Sequence, residues 1–210
     1  MSEASRALND PWNTLARQRA AMSFGVWVFL ASEVLFFGGA LLGYTIYRDL
    51  YPDAFRIAAR ETDIVYGTLN TAILLTSSLT MFVAERSAHE GFRRTSLWCL
   101  AATLALGSAF LVVKGFEYYD DIAKGLFPGP AFPLQPAQTQ IFWAFYWVMT
   151  GVHAIHLIFG LGILATVTVL LYRRLLPPQS PSFQGLALYW HFVDSVWVVL
   201  LPLLYLIGRA

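Results

Sequence analysis

Apolar and polar stretches alternate along the chain in a way that separates five long apolar segments by short polar connections. Each segment has about 20 or more mostly apolar residues, the length that an α-helix needs to cross the hydrocarbon core of a bilayer. The pattern therefore predicts an all-α, polytopic membrane protein with five transmembrane helices. We place them at about residues 20–47, 64–84, 95–113, 139–172 and 184–207.

The polar connections are too short to form domains, so residues 1–210 are expected to form a single membrane domain. Residues 1–19 form a polar N-terminal segment. The apolar run that follows is too long for a signal peptide and is interpreted as a retained membrane helix. Pro202 lies near the end of the fifth segment, where a kink is tolerated in a membrane helix.

Arginine and lysine residues are distributed unequally between the two ends of the predicted helices. Eight lie on the side of the N-terminus and five on the opposite side. Cytoplasmic loops of membrane proteins carry the excess of positive residues. We therefore expect a cytoplasmic N-terminus and, after five crossings, a C-terminus outside. The eight residues are Arg6, Arg17, Arg19, Arg86, Arg93, Arg94, Arg173 and Arg174.

The composition agrees with a lipid environment, since 57% of the residues are hydrophobic and 13% are charged, against about 25% charged in soluble domains. A formal net charge of +1 without a basic patch argues against nucleic-acid binding. The single cysteine, Cys99, excludes a disulfide framework and a cysteine-based metal site. The sequence contains no nucleophile triad, phosphate-binding glycine loop or CxxC pair, and so has no evident active site of its own.

Ionisable residues inside the apolar segments are informative because a charge in the bilayer costs about 2.5–3.5 kcal/mol on insertion scales. Glu33 lies near the middle of the first segment, among Phe29, Leu35 and Phe36. We expect its carboxyl to be buried, at least partly protonated, and turned towards other helices instead of lipid. Two roles remain open: an interhelical hydrogen bond, or a carboxyl linked to protons or lipids.

Three histidines and an aspartate lie in the last two segments. His153 and His156 are three residues apart, as are His191 and Asp194, so each pair shares a helix face. Histidine pairs can bind a metal or haem, but no further ligand is spaced nearby on the same helix. We favour interhelical hydrogen bonds over a metal site, and a structural cluster over a catalytic dyad. The fourth and fifth segments are expected to pack through polar contacts of these four side chains.

Lys114 and Glu117 follow the third predicted helix. A lysine side chain can extend its charge to the membrane surface. The neighbouring Tyr118 and Tyr119 are typical of the headgroup region. We therefore interpret these residues as anchors at the membrane interface.

Five stretches, one in or just after each predicted helix, resemble the subunit III family of haem–copper respiratory oxidases. Together they are distributed along nearly all of the chain from about Trp27 onward. The stretches are SEVLFF at 32–37, LNTAILL at 69–75, FEYY at 116–119, TGVHAIHLIFG at 150–160 and YWHFVDSVW at 189–197.

The resemblance implies the five-helix bacterial form of this family, which occurs in cytochrome c and quinol oxidases of the bacterial inner membrane. It implies a non-catalytic subunit of a proton-pumping terminal oxidase that reduces oxygen in aerobic respiration. In this family subunit III binds phospholipids but no haem or copper. It packs on subunit I, which holds the haem and copper, and it is accompanied by other oxidase subunits. The family motif residues, with structural, proton-linked or lipid-linked roles, are Glu33, Glu117, His153, His156, His191 and Asp194.

The chain departs from many family members at Lys114, where a glutamine is common, and at Glu85 and Arg86, where a histidine pair is common. Glu33 follows the form associated with cytochrome c oxidases, since quinol-type relatives often have aspartate there. Two alternatives are an accessory subunit of a nitric oxide reductase and a stand-alone small transporter. A transporter predicts an inverted repeat or broken helices near the midplane, and the sequence has neither.

Overall fold

The computed structural model describes residues 15–130, 132–177 and 180–209, and within these ranges it contains helices and loops but no β-strand. Residues 1–14, which include Arg6, lie outside the described residues, as does Ala210. The helices are α1 (Leu15–Leu50), α2 (Pro52–Arg60), α3 (Ile64–His89), α4 (Arg93–Ala123), α5 (Thr139–Tyr172) and α6 (Pro181–Leu201), followed by a π-helical turn (Pro202–Leu206) and a 3₁₀ turn (Ile207–Arg209).

Five of these helices are long and apolar enough to cross a bilayer, which confirms the predicted all-α, multi-pass architecture. The fourth predicted segment, 139–172, has the same bounds as α5. The third was predicted too short, because α4 continues past residue 113 to Ala123. The spans are Ala20–Leu50, Ile64–His89, Arg93–Ala123, Thr139–Tyr172 and Phe183–Arg209.

Helices α3 and α4 form an antiparallel hairpin. The turn between them is tight because Gly91 has a positive φ of 86°, a conformation that glycine adopts without a steric cost. Helix α6 packs on α3 and on α5, and α5 also packs on α4. Helix α1 lies against α5 and α6.

Two buried tryptophans set the register of α6 against α3. Trp190 Nε1 donates to Ser77 Oγ over 3.0 Å, and Trp197 Nε1 donates to Thr71 Oγ1 over 3.1 Å. A buried indole N–H without an acceptor would be costly, because no water replaces the lost bond. These two bonds therefore hold the helices antiparallel in one alignment.

Helix α2 is a short helix that is absent from the predicted elements. It starts at Pro52, a residue favoured in the first helical turn because its missing N–H has no intrahelical acceptor there. Its apolar side packs against α5 and against the 3₁₀ turn. The buried residues of α2 are Ala54, Phe55, Ala58 and Ala59.

The 3₁₀ turn is fastened to α2 and the residues just after it, and we call these contacts the C-terminal latch. Arg60 Nε donates to Gly208 O over 2.9 Å, and Arg209 Nη2 donates to Thr62 O over 2.6 Å. A Cβ at Gly208 would lie 2.8 Å from Arg60 N and 2.9 Å from Arg56 O. Because these are backbone atoms that cannot move aside, the latch requires glycine at this position.

Candidate functional site

Glu33 and His156 form a polar contact between α1 and α5. Glu33 Oε2 lies 2.9 Å from His156 Nε2, and the two side chains are 16% and 19% exposed. His156 Nδ1 lies 2.8 Å from Val152 O. A carbonyl oxygen only accepts, so Nδ1 carries a hydrogen and Nε2 faces the carboxyl. Glu33 is therefore turned towards another helix, as the sequence predicted.

A largely apolar cavity of about 730 Å³ lies beside this pair, between the first half of α1, α5 and the start of α6. His156 contributes to its wall. Because the walls belong to three membrane spans and are mostly hydrocarbon, the cavity fits an apolar chain better than a charged solute. Its apolar lining includes Val26, Phe29, Phe159, Ile163 and Leu188.

His191 and Asp194 lie on the side of α6 that meets α3. His191 Nδ1 lies 2.7 Å from Ser78 Oγ. Asp194 is 3% exposed, and neither of its carboxyl oxygens has a hydrogen-bond partner among the described residues.

His153 is buried among aromatic rings. Its ring centroid lies 5.2 Å from that of Trp197 on α6 and 5.6 Å from that of Phe110 on α4. Neither ring nitrogen has a hydrogen-bond partner within the part of the chain that the structure describes.

The prediction that these four side chains join the fourth and fifth segments through polar contacts is wrong. His156 contacts α1 and His191 contacts α3, while His153 reaches α6 through ring packing. A polar contact between α5 and α6 comes instead from Tyr189, whose hydroxyl donates to His156 O over 2.8 Å. Spacing along one helix identifies a shared face, but it does not identify the helix that packs against that face.

Lys114 and Glu117 lie inside the bundle, and the prediction that they anchor the chain at the membrane interface is wrong. Their side chains are 2% and 1% exposed, and Lys114 Nζ lies 3.0 Å from Glu117 Oε2. Tyr118 is also partly buried, whereas Tyr119 is exposed on the surface of α4. Because two oppositely charged groups at this depth are both desolvated, each depends on the other and on further hydrogen bonds.

A second carboxyl and two tyrosine hydroxyls complete this buried group, which we call the Lys114 cluster: Lys114, Glu117, Asp121, Tyr146 and Tyr205. Lys114 Nζ lies 3.0 Å from Tyr146 Oη and 2.8 Å from Tyr205 Oη. Glu117 Oε1 lies 2.8 Å from Tyr146 Oη and 2.6 Å from Tyr205 Oη. Asp121 Oδ2 lies 2.7 Å from Tyr146 Oη. The cluster thus joins α4, α5 and the π-helical turn.

Sequence reasoning missed three members of this cluster. Asp121 could have been found, because it follows Lys114 and Glu117 at spacings that keep all three on one helix face. Tyr146 and Tyr205 come from other helices and carry no local signal. Aromatic rings also surround the ammonium, whose Nζ lies 4.6 Å from the Tyr146 ring centroid and 5.4 Å from that of Trp197.

Metal-binding residues do not converge in the described structure. Across residues 15–130, 132–177 and 180–209, no group of three or more His, Cys, Asp or Glu side chains could hold a metal ion. That this chain binds no haem, copper or zinc remains a prediction from the sequence.

The sequence matches the family model described as cytochrome c oxidase subunit III over residues 12–209. It is 32% identical over 207 residues to cytochrome c oxidase subunit 3 of Corynebacterium diphtheriae, covering 94% of each chain. It is 28% identical to cytochrome bo(3) ubiquinol oxidase subunit 3 of Pseudomonas aeruginosa, covering 88% of this chain and 84% of the relative. Cytochrome c oxidase subunit 3 of a Bacillus species is 29% identical, with coverages of 89% and 86%.

Proposed function

The chain belongs to the cytochrome c oxidase subunit III family and is a subunit III of a haem–copper terminal oxidase, and on this premise we propose that its role in the complex is non-catalytic. The observation that supports this role is the Lys114 cluster, whose buried polar groups are bonded to one another across the chain's own helices. In this proposal subunit I holds the haem and copper and reduces oxygen, the complex pumps protons, and this chain packs on subunit I and stabilises it.

The role of Glu33 gives the direct test. Glu33→Gln keeps the shape of the side chain and a polar group opposite His156, so initial oxygen reduction should stay near normal. Glu33→Ala removes the 2.9 Å contact between α1 and α5, so it should loosen α1 and shorten the working life of the enzyme. Oxygen consumption by both variants is followed through many turnovers. Immediate and complete loss of activity in Glu33→Gln, with the complex intact and its haem content normal, would mean that Glu33 is directly catalytic.

We assign bound phospholipid to the cavity between α1, α5 and α6, with an acyl chain along its apolar walls. Support comes from the cavity volume of about 730 Å³ and from its position within the membrane spans. Ile163→Trp should fill part of the cavity and reduce phospholipid retained by the purified complex. Ile155→Trp is a matched control, because Ile155 lies exposed on the same helix but does not line the cavity. Equal lipid retention in both variants would contradict this assignment.

The proposed location is the bacterial inner membrane, with the N-terminus in the cytoplasm and the C-terminus outside, supported by the excess of arginines on the N-terminal side. A reporter that is active only outside the cytoplasm should give a signal when it is fused after residue 210. Signal from a cytoplasmic reporter at the same position would contradict the orientation.

For the electron donor we propose cytochrome c, because Glu33 follows the form associated with cytochrome c oxidases. Purification of the native complex, followed by its haem spectrum and oxygen uptake with each reductant, tests the donor and the oxidase assignment together. Faster oxygen uptake with quinol than with cytochrome c would contradict the proposed electron donor. Metal analysis of the purified subunit should find no stoichiometric haem, copper or zinc.

A further inference from the structure

The oxygen–oxygen contacts of the Lys114 cluster require more hydrogens than its two tyrosines can supply. Three pairs of oxygen atoms lie 2.6–2.8 Å apart: Tyr146 Oη with Glu117 Oε1, Tyr146 Oη with Asp121 Oδ2, and Tyr205 Oη with Glu117 Oε1. Each tyrosine hydroxyl has one hydrogen, and Lys114 Nζ is a donor to both hydroxyl oxygens. One of the three contacts would therefore bring two oxygen lone pairs together, unless a carboxyl carries a proton.

The geometry of the cluster indicates which carboxyl carries it. Lys114 Nζ donates to both tyrosine oxygens, and Glu117 Oε2 lies 3.0 Å from it as the partner of an ion pair. Tyr205 donates to Glu117 Oε1. Tyr146 lies between the two carboxyls and can donate to one of them. Because Glu117 lies 3.0 Å from the ammonium and Asp121 has no such ion pair among the described residues, the carboxylate charge is best stabilised on Glu117.

We propose that Asp121, Tyr146 and Glu117 form a proton-binding site in which Asp121 holds an exchangeable proton. Asp121 donates to Tyr146 Oη, and Tyr146 in turn donates to Glu117 Oε1. When both hydrogen bonds reverse, the O–H bonds of Asp121 and Tyr146 break while new ones form on Tyr146 and Glu117. The proton then lies on Glu117, and the number of hydrogens in the cluster is unchanged.

The site lies near one end of the bundle. Asp121 is 3% exposed, but it lies within one turn of the exposed end of α4 at Lys124. Next to Asp121, Tyr66 of α3 donates to Asp120 Oδ2 over 3.1 Å. The remaining titratable groups around the site are Lys114 and Tyr118 on α4, Lys124 after α4, and Tyr205 in the π-helical turn.

Infrared spectroscopy of the purified oxidase complex tests the proposal, because the carbonyl stretch of a protonated carboxyl is distinct from the carboxylate bands. Asp121→Asn keeps a donor for Tyr146 and should remove the signal of one protonated carboxyl. Asp120→Asn is the matched control and should remove none. Lys114→Gln should add the signal of one protonated carboxyl, because Glu117 then loses its cation and takes up a proton.

An unchanged carboxylic acid signal in assembled Asp121→Asn, or loss of a carboxylate band in its place, would overturn the proposal. Tyr146→Phe provides a second test that applies even if Asp121→Asn fails to assemble. It removes the hydroxyl that accepts the proton, so the carbonyl stretch of Asp121 should shift. A Tyr146→Phe spectrum without any shift in the carboxylic acid region would also overturn it.

Discussion

Replacement of Lys114 by methionine tests whether burial, and not short distance, makes the ion pair with Glu117 important. Methionine keeps an unbranched apolar side chain but removes the ammonium that lies 3.0 Å from Glu117 Oε2. The same change removes the donor to the hydroxyls of Tyr146 and Tyr205. Glu117, which is 1% exposed, would be left as a buried carboxylate without a cation, or would have to take up a proton.

Removal of one partner from a buried ion pair costs about 3–5 kcal/mol, which is roughly a 10²- to 10⁴-fold change in the unfolding equilibrium. The double variant Lys114→Met with Glu117→Gln leaves no charge in this position and should recover most of the loss. Arg86 and Glu90 provide the matched control, because they lie 2.8 Å apart on one helix but are 68% and 44% exposed. Arg86→Met should therefore cost about 0.3–0.5 kcal/mol.

The assay is the free energy of unfolding of the full chain in mixed micelles, titrated with a denaturing detergent, for the wild type and each variant. A double-mutant cycle on Lys114 and Glu117 then gives their coupling free energy. The reasoning is refuted if the double variant is as unstable as Lys114→Met, or if Arg86→Met costs as much as Lys114→Met.

Three further substitutions test the packing of the helices. Gly208→Ala places a Cβ 2.8 Å from a backbone nitrogen of α2, so it should cost about 1–3 kcal/mol and speed proteolysis of the C-terminal latch. Gly39→Ala has open space around its Cβ, and an equal effect there would contradict the latch. Gly107→Ala places a Cβ 2.9 Å from the ring of a buried tryptophan and should lower the Tm of the complex. Gly115→Ala on the same helix has open space around its Cβ and should not lower the Tm. A larger loss of Tm in Gly115→Ala than in Gly107→Ala would be inconsistent with the packing. His156→Leu removes an interhelical contact of a kind worth about 0.6 kcal/mol on average in membranes, so immunoblots of the purified complex should show reduced incorporation of the subunit, and complete loss would mean a larger role.

The spans could be predicted from the sequence because a bilayer imposes a length of about 20 apolar residues on each helix. The bounds at Thr139 and Tyr172 agree because polar and proline-rich residues flank that segment on both sides. The end of α4 was predicted incorrectly because Lys114 and Glu117 interrupt the apolar run. Their polar partners come from helices that are distant in sequence, so the pattern of α4 alone favours an early end.

The candidate site was predicted only in part, again because partners on distant helices leave no local signal in the sequence. Glu33 had to find a partner, since a lone carboxyl among aromatic residues is costly, and this is enough to predict that it faces another helix. The identity of its partner, His156, depends on how α1 and α5 pack, which the spacing of residues does not determine. Helix α2 did carry a local signal, because Pro52 starts a stretch in which apolar residues recur every three or four positions.

The position of α1 has a consequence for the biogenesis of the protein. Among the described residues, Glu33 lies 2.9 Å from His156 and Tyr44 donates to the carbonyl of Leu203, and His156 and Leu203 are both translated long after α1. At about 5–20 residues per second, roughly 6–25 s separate the synthesis of Glu33 from that of His156. Helices α3 and α4 can pair as soon as both have been inserted, whereas the helix made first is fixed last. During that interval an unpaired α1 is accessible in the bilayer to insertion chaperones and to quality-control proteases.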